Sequence, residues 1–308
     1  ESPFGSDAKE FVENNFYVDD PLKSSPSSEE SIDLLRRTQT MLATANLRLH
    51  KIASNDIAVT LAFPSEDRAT DLCNLDLNKD TKSIQRSLGV YWNLERDMFT
   101  FRVDVEDKPS AKRGLLSVIN SLFDRLGIAA PVVIKGKMLL RSMSAHLKDR
   151  QLGQWDEPLP EEHRPAWEEW FQSLSSLQHL EILPLYTTAP LQKAHRVELH
   201  TFCDASVHGI AAVCFVKAIQ LNGEIQFTFV FGKAKLAPSH ATTIPCLELC
   251  AAVLAEEVTD QVLGEQTIKP DSITYYSDSK VVLGYITNET RRFYVYVSNR
   301  VERIRKSS

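Results

Sequence analysis

A chain of 308 residues is long enough for two or three domains, and 43% hydrophobic with 25% charged residues is an ordinary globular composition. No apolar run reaches membrane-span length and no basic-then-apolar leader opens the chain, so a soluble intracellular protein is expected. The net charge of −6 argues against nucleic-acid binding by the whole surface and leaves only local basic patches, such as Arg300, Arg303, Arg305 and Lys306.

Near the N-terminus, ENNFYVDDPLKS leads aromatic and β-branched residues into Asp19-Asp20-Pro21, a hairpin signature with two adjacent acids at its tip. Ser27 and Glu30 form a capping box for a helix that carries Ile32, Leu35, Leu42 and Ala45 on one face. DIAVTLAF (56–63) reads as a strand, and 88–103 as a strand pair about a turn at Glu95–Asp97. From about 109 the apolar period becomes helical. Leu115, Leu116, Ile119, Leu122, Phe123 and Leu126 form a stripe that ends at Gly127, a C-cap signal. Pro131 opens a second helix through Met143 or beyond, and Trp167, Trp170, Phe171 and Leu174 mark a third after the Pro-rich, acidic WDEPLPEEHRP.

Strand signals return after Leu185, which sets a boundary within 186–194. Val197, Leu199, Thr201 and Cys203 alternate with Glu198, His200, Phe202 and Asp204, so a half-buried strand ends at an exposed aspartate. A second strand spans 210–219, and a turn at Asn222-Gly223 leads to a third over 224–233. A helix over 244–263 contains Glu248, a strand over 272–278 ends at Asp278, and a helix covers 279–287. A further strand or helix begins in RFYVYVSNRVERIRKSS. Three strands, a helix, a strand and a helix describe a layered α/β domain with a mixed sheet.

The five cysteines form no disulfide framework. Cys246 and Cys250 are one helical turn apart, but with His240 alone they match no zinc pattern, so buried reduced thiols are expected. Pairing Cys203 with His200 or His208 for nucleophilic catalysis is weaker than reading a core thiol beside turn histidines. Asp204, Glu248 and Asp278 are separated by 44 and 30 residues. Three carboxylates converging at one sheet edge raise each other's pKa and call for a hard divalent cation such as Mg²⁺. Two such ions suit phosphodiester cleavage. Spacing alone favours the reading as three unrelated surface acids, since Asp and Glu are common.

The order HTFCDASVHGIAAVCF, TIPCLELCAAVLA, YYSDSKVVLGYI resembles the RNase H domain of BEL/Pao-type LTR retrotransposon Pol polyproteins. FYVDD, LRLHKIASND and LGVYWN are similar to the C-terminal part of a retroelement reverse transcriptase, and SLFDRLGIAAPVVIKGKMLL and QWDEPLP to the segment joining the two. The resemblance implies a multidomain chain of α/β and α+β class. It comprises a palm remnant over 1–107, a helical thumb or connection over 108–190, and an RNase H-like mixed-sheet domain over 191–308. It implies Mg²⁺ (or Mn²⁺) at Asp204, Glu248 and Asp278, which match three of four RNase H acids, with cleavage of RNA in an RNA–DNA hybrid. It also makes Asp19 and Asp20 the metal-binding polymerase pair and sets Tyr17 and Val18 beside the primer end. Leu88, Gly89 and Trp92 then lie in the primer-gripping segment, and Lys51 matches the lysine of the following polymerase motif.

The implied partners are a hybrid or primer-template and the remainder of the Pol polyprotein, in a cytoplasmic particle or the nucleus, with no membrane. Pro21 and Arg125 stand where the family more often has an aliphatic residue and a proline. The earlier polymerase aspartate, the fingers and the fourth RNase H acid would all lie outside these 308 residues. The expectation is therefore an internal slice or a decayed copy that does not polymerise DNA by itself. The alternative is a catalytically inactive nucleic-acid-binding or scaffold remnant. No Asp-Thr-Gly or Asp-Ser-Gly occurs, so an aspartic protease of that signature is not expected.

Overall fold

The computed structural model describes residues 3–17, 20–69, 84–87, 90–101, 103, 111–122, 124–149, 155–183, 191–238, 243–265 and 269–307. Two compact units divide the chain: 1–102 with 178–184, and 103–177 with 185–308. In the first, a helix that the sequence signals did not announce, α1 (Ser6–Asn15), precedes the acidic hairpin and packs Ala8 and Phe11 against Leu34. Strand β1 (Phe16–Tyr17) then pairs antiparallel with β2 (Asp20–Pro21), Tyr17 opposite Asp20, as the hairpin signature requires. Helix α2 (Ser28–Ala43) starts at the capping box, where the Ser27 hydroxyl accepts from the Glu30 N–H at 3.3 Å. Arg37 of α2 fastens α1 by donating to both carboxylate oxygens of Asp7 at 2.6 Å. That hydrogen bonding holds the Asp7 carboxyl down at about 2.

The stretch 56–63 is not a strand. Ile57–Leu61 form a short helix, α3, whose first donors are met by Asp56; its carboxylate accepts from the Ala58 N–H at 2.8 Å. Capping chemistry outweighs the β-propensity of IAVTL here, and Val59 and Phe63 then reach Ile52 on one face. The strand pair expected over 88–103 belongs to a three-stranded antiparallel sheet of β3 (Ile84–Ser87), β4 (Val90–Asn93) and β5 (Met98–Thr100). Asp97 takes the left-handed backbone conformation in the β4–β5 turn, which Asp tolerates better than most residues.

In the second unit, α4 (Lys112–Ser121) stops well before Gly127, so Gly127 is not its cap. Gly127 has φ +81°, and a Cβ there would stand 1.8 Å from the Gly232 carbonyl oxygen. The glycine is required by this close backbone approach, which the Gly232 N–H seals by donating to the Leu126 carbonyl at 2.8 Å. Helix α5 (Ala130–Asp149) crosses α6 (Arg164–Ser173) where Trp170 lies over Gly136, and the indole N–H donates to the Val132 carbonyl at 2.9 Å.

The sheet of this unit contains β6 (Arg196–Ala205), β7 (Gly209–Ile219), β8 (Ile225–Leu236) and β9 (Ser272–Tyr276) in the order β8-β7-β6-β9. The first three form an antiparallel meander, and β9 returns parallel to β6 after a crossover through α7 (Ile244–Glu265). Helix α7 is apolar around most of its circumference because it is buried on two sides. Leu247, Leu254 and Val258 meet Val197, Leu199 and Val216 of the sheet. Leu249 and Ala252 meet Val282 and Val301 of α8 (Lys280–Thr287) and α9 (Val295–Ser307). A buried hydroxyl pair, Thr201 and Thr259 at 2.7 Å, fixes α7 along β6. The mixed four-stranded sheet with its helices bears out the α/β class. Among the described residues, no helix is long and apolar enough to cross a membrane.

Candidate metal centre

The parallel register of β6 and β9 sets Phe202 opposite Tyr276. Two residues further along each chain, Asp204 and Asp278 therefore leave neighbouring strands at the same level. β9 is shorter than expected, so Asp278 lies just beyond the strand, in the short connection to α8. Ser277 accepts from the Ser279 N–H at 3.2 Å, and Ser279 caps α8 by accepting from the Val282 N–H at 3.4 Å. On the other strand, the Asp204 carboxylate accepts from the Ala205 N–H at 2.8 Å, and the Ser206 hydroxyl closes the following turn by accepting from the Gly209 N–H at 3.2 Å.

The first turns of α7 bring Glu248 to the same end of the sheet. Ligand oxygens of Asp204, Glu248 and Asp278 all lie within 4.8 Å of one another, with Glu248 buried and the two aspartates exposed. Burial pushes the Glu248 carboxyl above its ordinary value, and the neighbouring charges of Asp204 and Asp278 push it further. Among the described residues, its buried Oε2 has no hydrogen-bond partner. A buried carboxylate oxygen left without a donor is costly, and a cation bound by all three groups relieves both that cost and the mutual repulsion. The donor set is oxygen only, which suits a hard ion such as Mg²⁺ or Mn²⁺ over zinc. Among the described residues, no other three His, Cys, Asp or Glu side chains stand close enough to share an ion.

Cys203 adjoins the cluster, a feature its core-facing position in the alternation does not signal. Burial, chiefly, together with the charges of Glu248, Asp204 and Asp278, pushes its thiol up to about 11. The thiol stays protonated at neutral pH and is no nucleophile there. His200 projects from the other face of β6, its ring 2.8 Å from the Tyr276 hydroxyl and 3.2 Å from the Glu198 carboxylate. Cys250 pairs with the Tyr296 hydroxyl at 3.0 Å, and His240 lies outside the described residues.

Of the polymerase-like positions, Val18, Asp19, Leu88 and Gly89 lie outside the described residues. Tyr17 and Asp20 pair across the β1–β2 hairpin. Trp92 is tied into its own sheet: its indole N–H donates to Asp97 at 2.9 Å and its ring lies 6.5 Å from Phe99. Lys51 is exposed and takes a positive φ of 58°. The basic residues near the chain's end are engaged internally. Arg303 pairs with Glu256 at 2.8 Å, Arg305 donates to the Ile286 carbonyl at 2.7 Å, and Lys306 pairs with Glu302 at 2.8 Å. Arg300 lies 3.6 Å over the Tyr296 ring.

A family model described as the Pao retrotransposon-like RNaseH-like domain matches residues 111–279, more than half of the chain. The solved foamy viral protease-reverse transcriptase dRH in complex with double-stranded DNA is similar at a TM-score of 0.44 and 12% identity, over 92% of this chain and 42% of that one. The chain thus spans less than half the length of that structure. No curated protein matches it.

Proposed function

The chain belongs to the family of Pao retrotransposon-like RNaseH-like domains, and on that premise we propose that it cleaves the RNA strand of an RNA–DNA hybrid with a divalent metal held by Asp204, Glu248 and Asp278. The observation that carries this reading is the convergence of three carboxylates from three elements around one unpartnered, buried oxygen of Glu248. When bound, Mg²⁺ or Mn²⁺ supplies activation of a water and stabilisation of the leaving oxygen. Glu248, fixed on the buried helix α7, sets the depth of the site. Asp204 and Asp278, exposed at the strand ends, face the solvent from which substrate arrives. Shape and 2′-hydroxyl contacts identify the hybrid, since no base-reading element is needed for this chemistry.

Residues 1–107 are read in the same proposal as a palm remnant. The antiparallel pairing of β1 with β2, with Tyr17 opposite Asp20, supports that reading. The deciding experiment follows cleavage of an end-labelled RNA–DNA hybrid in Mg²⁺ and in Mn²⁺ by the chain and by its Asp278→Asn variant. Cleavage that disappears in the variant is the expected result. A folded parent chain that leaves the hybrid intact in both metals rejects the nuclease reading in favour of an inactive binding module.

A further inference from the structure

One segment packed beside the carboxylate cluster is basic and has no role in the proposed reaction. Residues 280–300 contain four basic side chains and one acid, Glu289, in a chain whose net charge is −6. The middle of this segment, 288–294, is the irregular connection from α8 to α9. Arg291 and Arg292 are exposed on it, and among the described residues neither guanidinium has a carboxylate partner. Arg300, Arg303, Arg305 and Lys306 differ in this, since the fold itself engages them.

The packing of α8 and α9 fixes where the connection runs. Helix α8 begins at Lys280, two residues after Asp278, and so starts from the acid end of the sheet. Its 8 residues carry the chain about 12 Å away. Helix α9 begins back at the acid end: the Tyr296 hydroxyl lies 3.0 Å from the Cys250 thiol, and Cys250 follows Glu248 by two residues in α7. Val297 packs in one apolar cluster with Leu249 and Cys203, the sequence neighbours of Glu248 and Asp204. Helix α9 finishes at the other end, where Arg303 pairs with Glu256 and Arg305 donates to the carbonyls of Ile286 and Asn288. The connection therefore returns along α8 toward the acids, with Arg291 and Arg292 on that return. It is pinned in place. The Asn288 side chain accepts from the N–H groups of Thr290 at 3.1 Å and Arg291 at 2.9 Å, and the Phe293 ring stands 5.1 Å from that of Tyr285. A held backbone lowers the ordering cost of any contact these arginines make.

Charge and spacing select the occupant. A guanidinium donates two parallel hydrogen bonds to a phosphate, and a duplex strand presents one phosphate about every 3.4 Å along its axis. The length of α8 thus corresponds to roughly three or four base pairs. Contacts of this kind set register and carry no sequence information. Resting on the function proposed above, we infer that Arg291 and Arg292 hold the phosphate backbone of the bound hybrid a few base pairs from the phosphate at the acids.

The test is the fluorescence anisotropy of a short fluorescein-labelled RNA–DNA hybrid titrated with the full chain in EDTA, at salt between about 50 and 200 mM. The double variant Arg291→Gln/Arg292→Gln is expected to bind about tenfold more weakly or worse, and to lower the slope of log affinity against log salt by roughly two. Its Tm is expected to match the parent's, because both side chains are exposed and neither has a carboxylate partner among the described residues. Lys193→Gln/Lys269→Gln removes the same charge at the opposite end of the sheet, just before β6 and β9, and is expected to retain most of the affinity and the slope. Absence of binding by the parent chain, an unchanged affinity and slope in the arginine variant, or an equal loss in the lysine variant each overturns the inference. Fluorescein-labelled polyglutamate bound as tightly as the hybrid overturns it in favour of an acidic protein partner. Because neither metal nor cleavage enters the measurement, an inactive metal site leaves these outcomes as they are, and the two readings fail separately.

Discussion

The three acids of the cluster are unequal, and burial makes them so. Glu248, 8% exposed, is the one whose carboxyl is pushed up, first by desolvation and then by Asp204 and Asp278. In the unfolded chain the same group titrates at the ordinary glutamate value, so the ion-free folded state binds the proton more tightly. Stability contributed by that proton is complete below the ordinary value and is lost as pH rises through the raised one. A divalent ion has the opposite pH dependence, because it competes with protons for the same oxygens. At pH 7, Mg²⁺ or Mn²⁺ at a hundred times its Kd is expected to add about 2.7 kcal/mol of stability, shrinking toward pH 4. Asp204→Asn is expected to raise the stability of the ion-free chain and to remove most of the metal's gain. Thermal unfolding in EDTA and in metal reads both effects. An equal gain in parent and variant would separate the cluster from metal binding.

Among the elements, α7 links core and site. One side of it completes the sheet's core, another receives α8 and α9, and its first turns carry Glu248. Leu254 is 1% exposed in the sheet-facing cluster, so Leu254→Ala is expected to cost about 2–5 kcal/mol, measured by urea denaturation. A cost under about 1 kcal/mol would mean that the helix seats less tightly than its burial indicates. Elements whose pattern matched their burial were legible in the sequence. Strand β6 alternates because one face meets α7, and Asn222-Gly223 turns because Gly223 takes φ +83°. Three readings failed, two for local reasons and one for a distant contact. IAVTL has strand-like residues but an aspartate cap, SDAKEFVENN has no side-chain cap to announce α1, and Gly127 answers to the backbone of Gly232, a partner distant in sequence.

For the whole molecule, the cluster and its supporting helices fall within 103–177 and 185–308. A fragment beginning at Val103 is therefore expected to show the same metal-induced rise in Tm as the full chain. A folded fragment without that rise would mean that the first unit contributes to the site. The sequence by itself determined the order of strands and helices in the last third of the chain, the identity of the three acids and the family they belong to. It did so because alternation, turn residues and motif order are properties of short stretches. Only the tertiary structure decided that the acids meet within 4.8 Å and that Glu248 is the buried one, with an oxygen unpartnered among the described residues. Each of these depends on which distant segments pack together, and it is packing, not local pattern, that sets burial and the distance between charges.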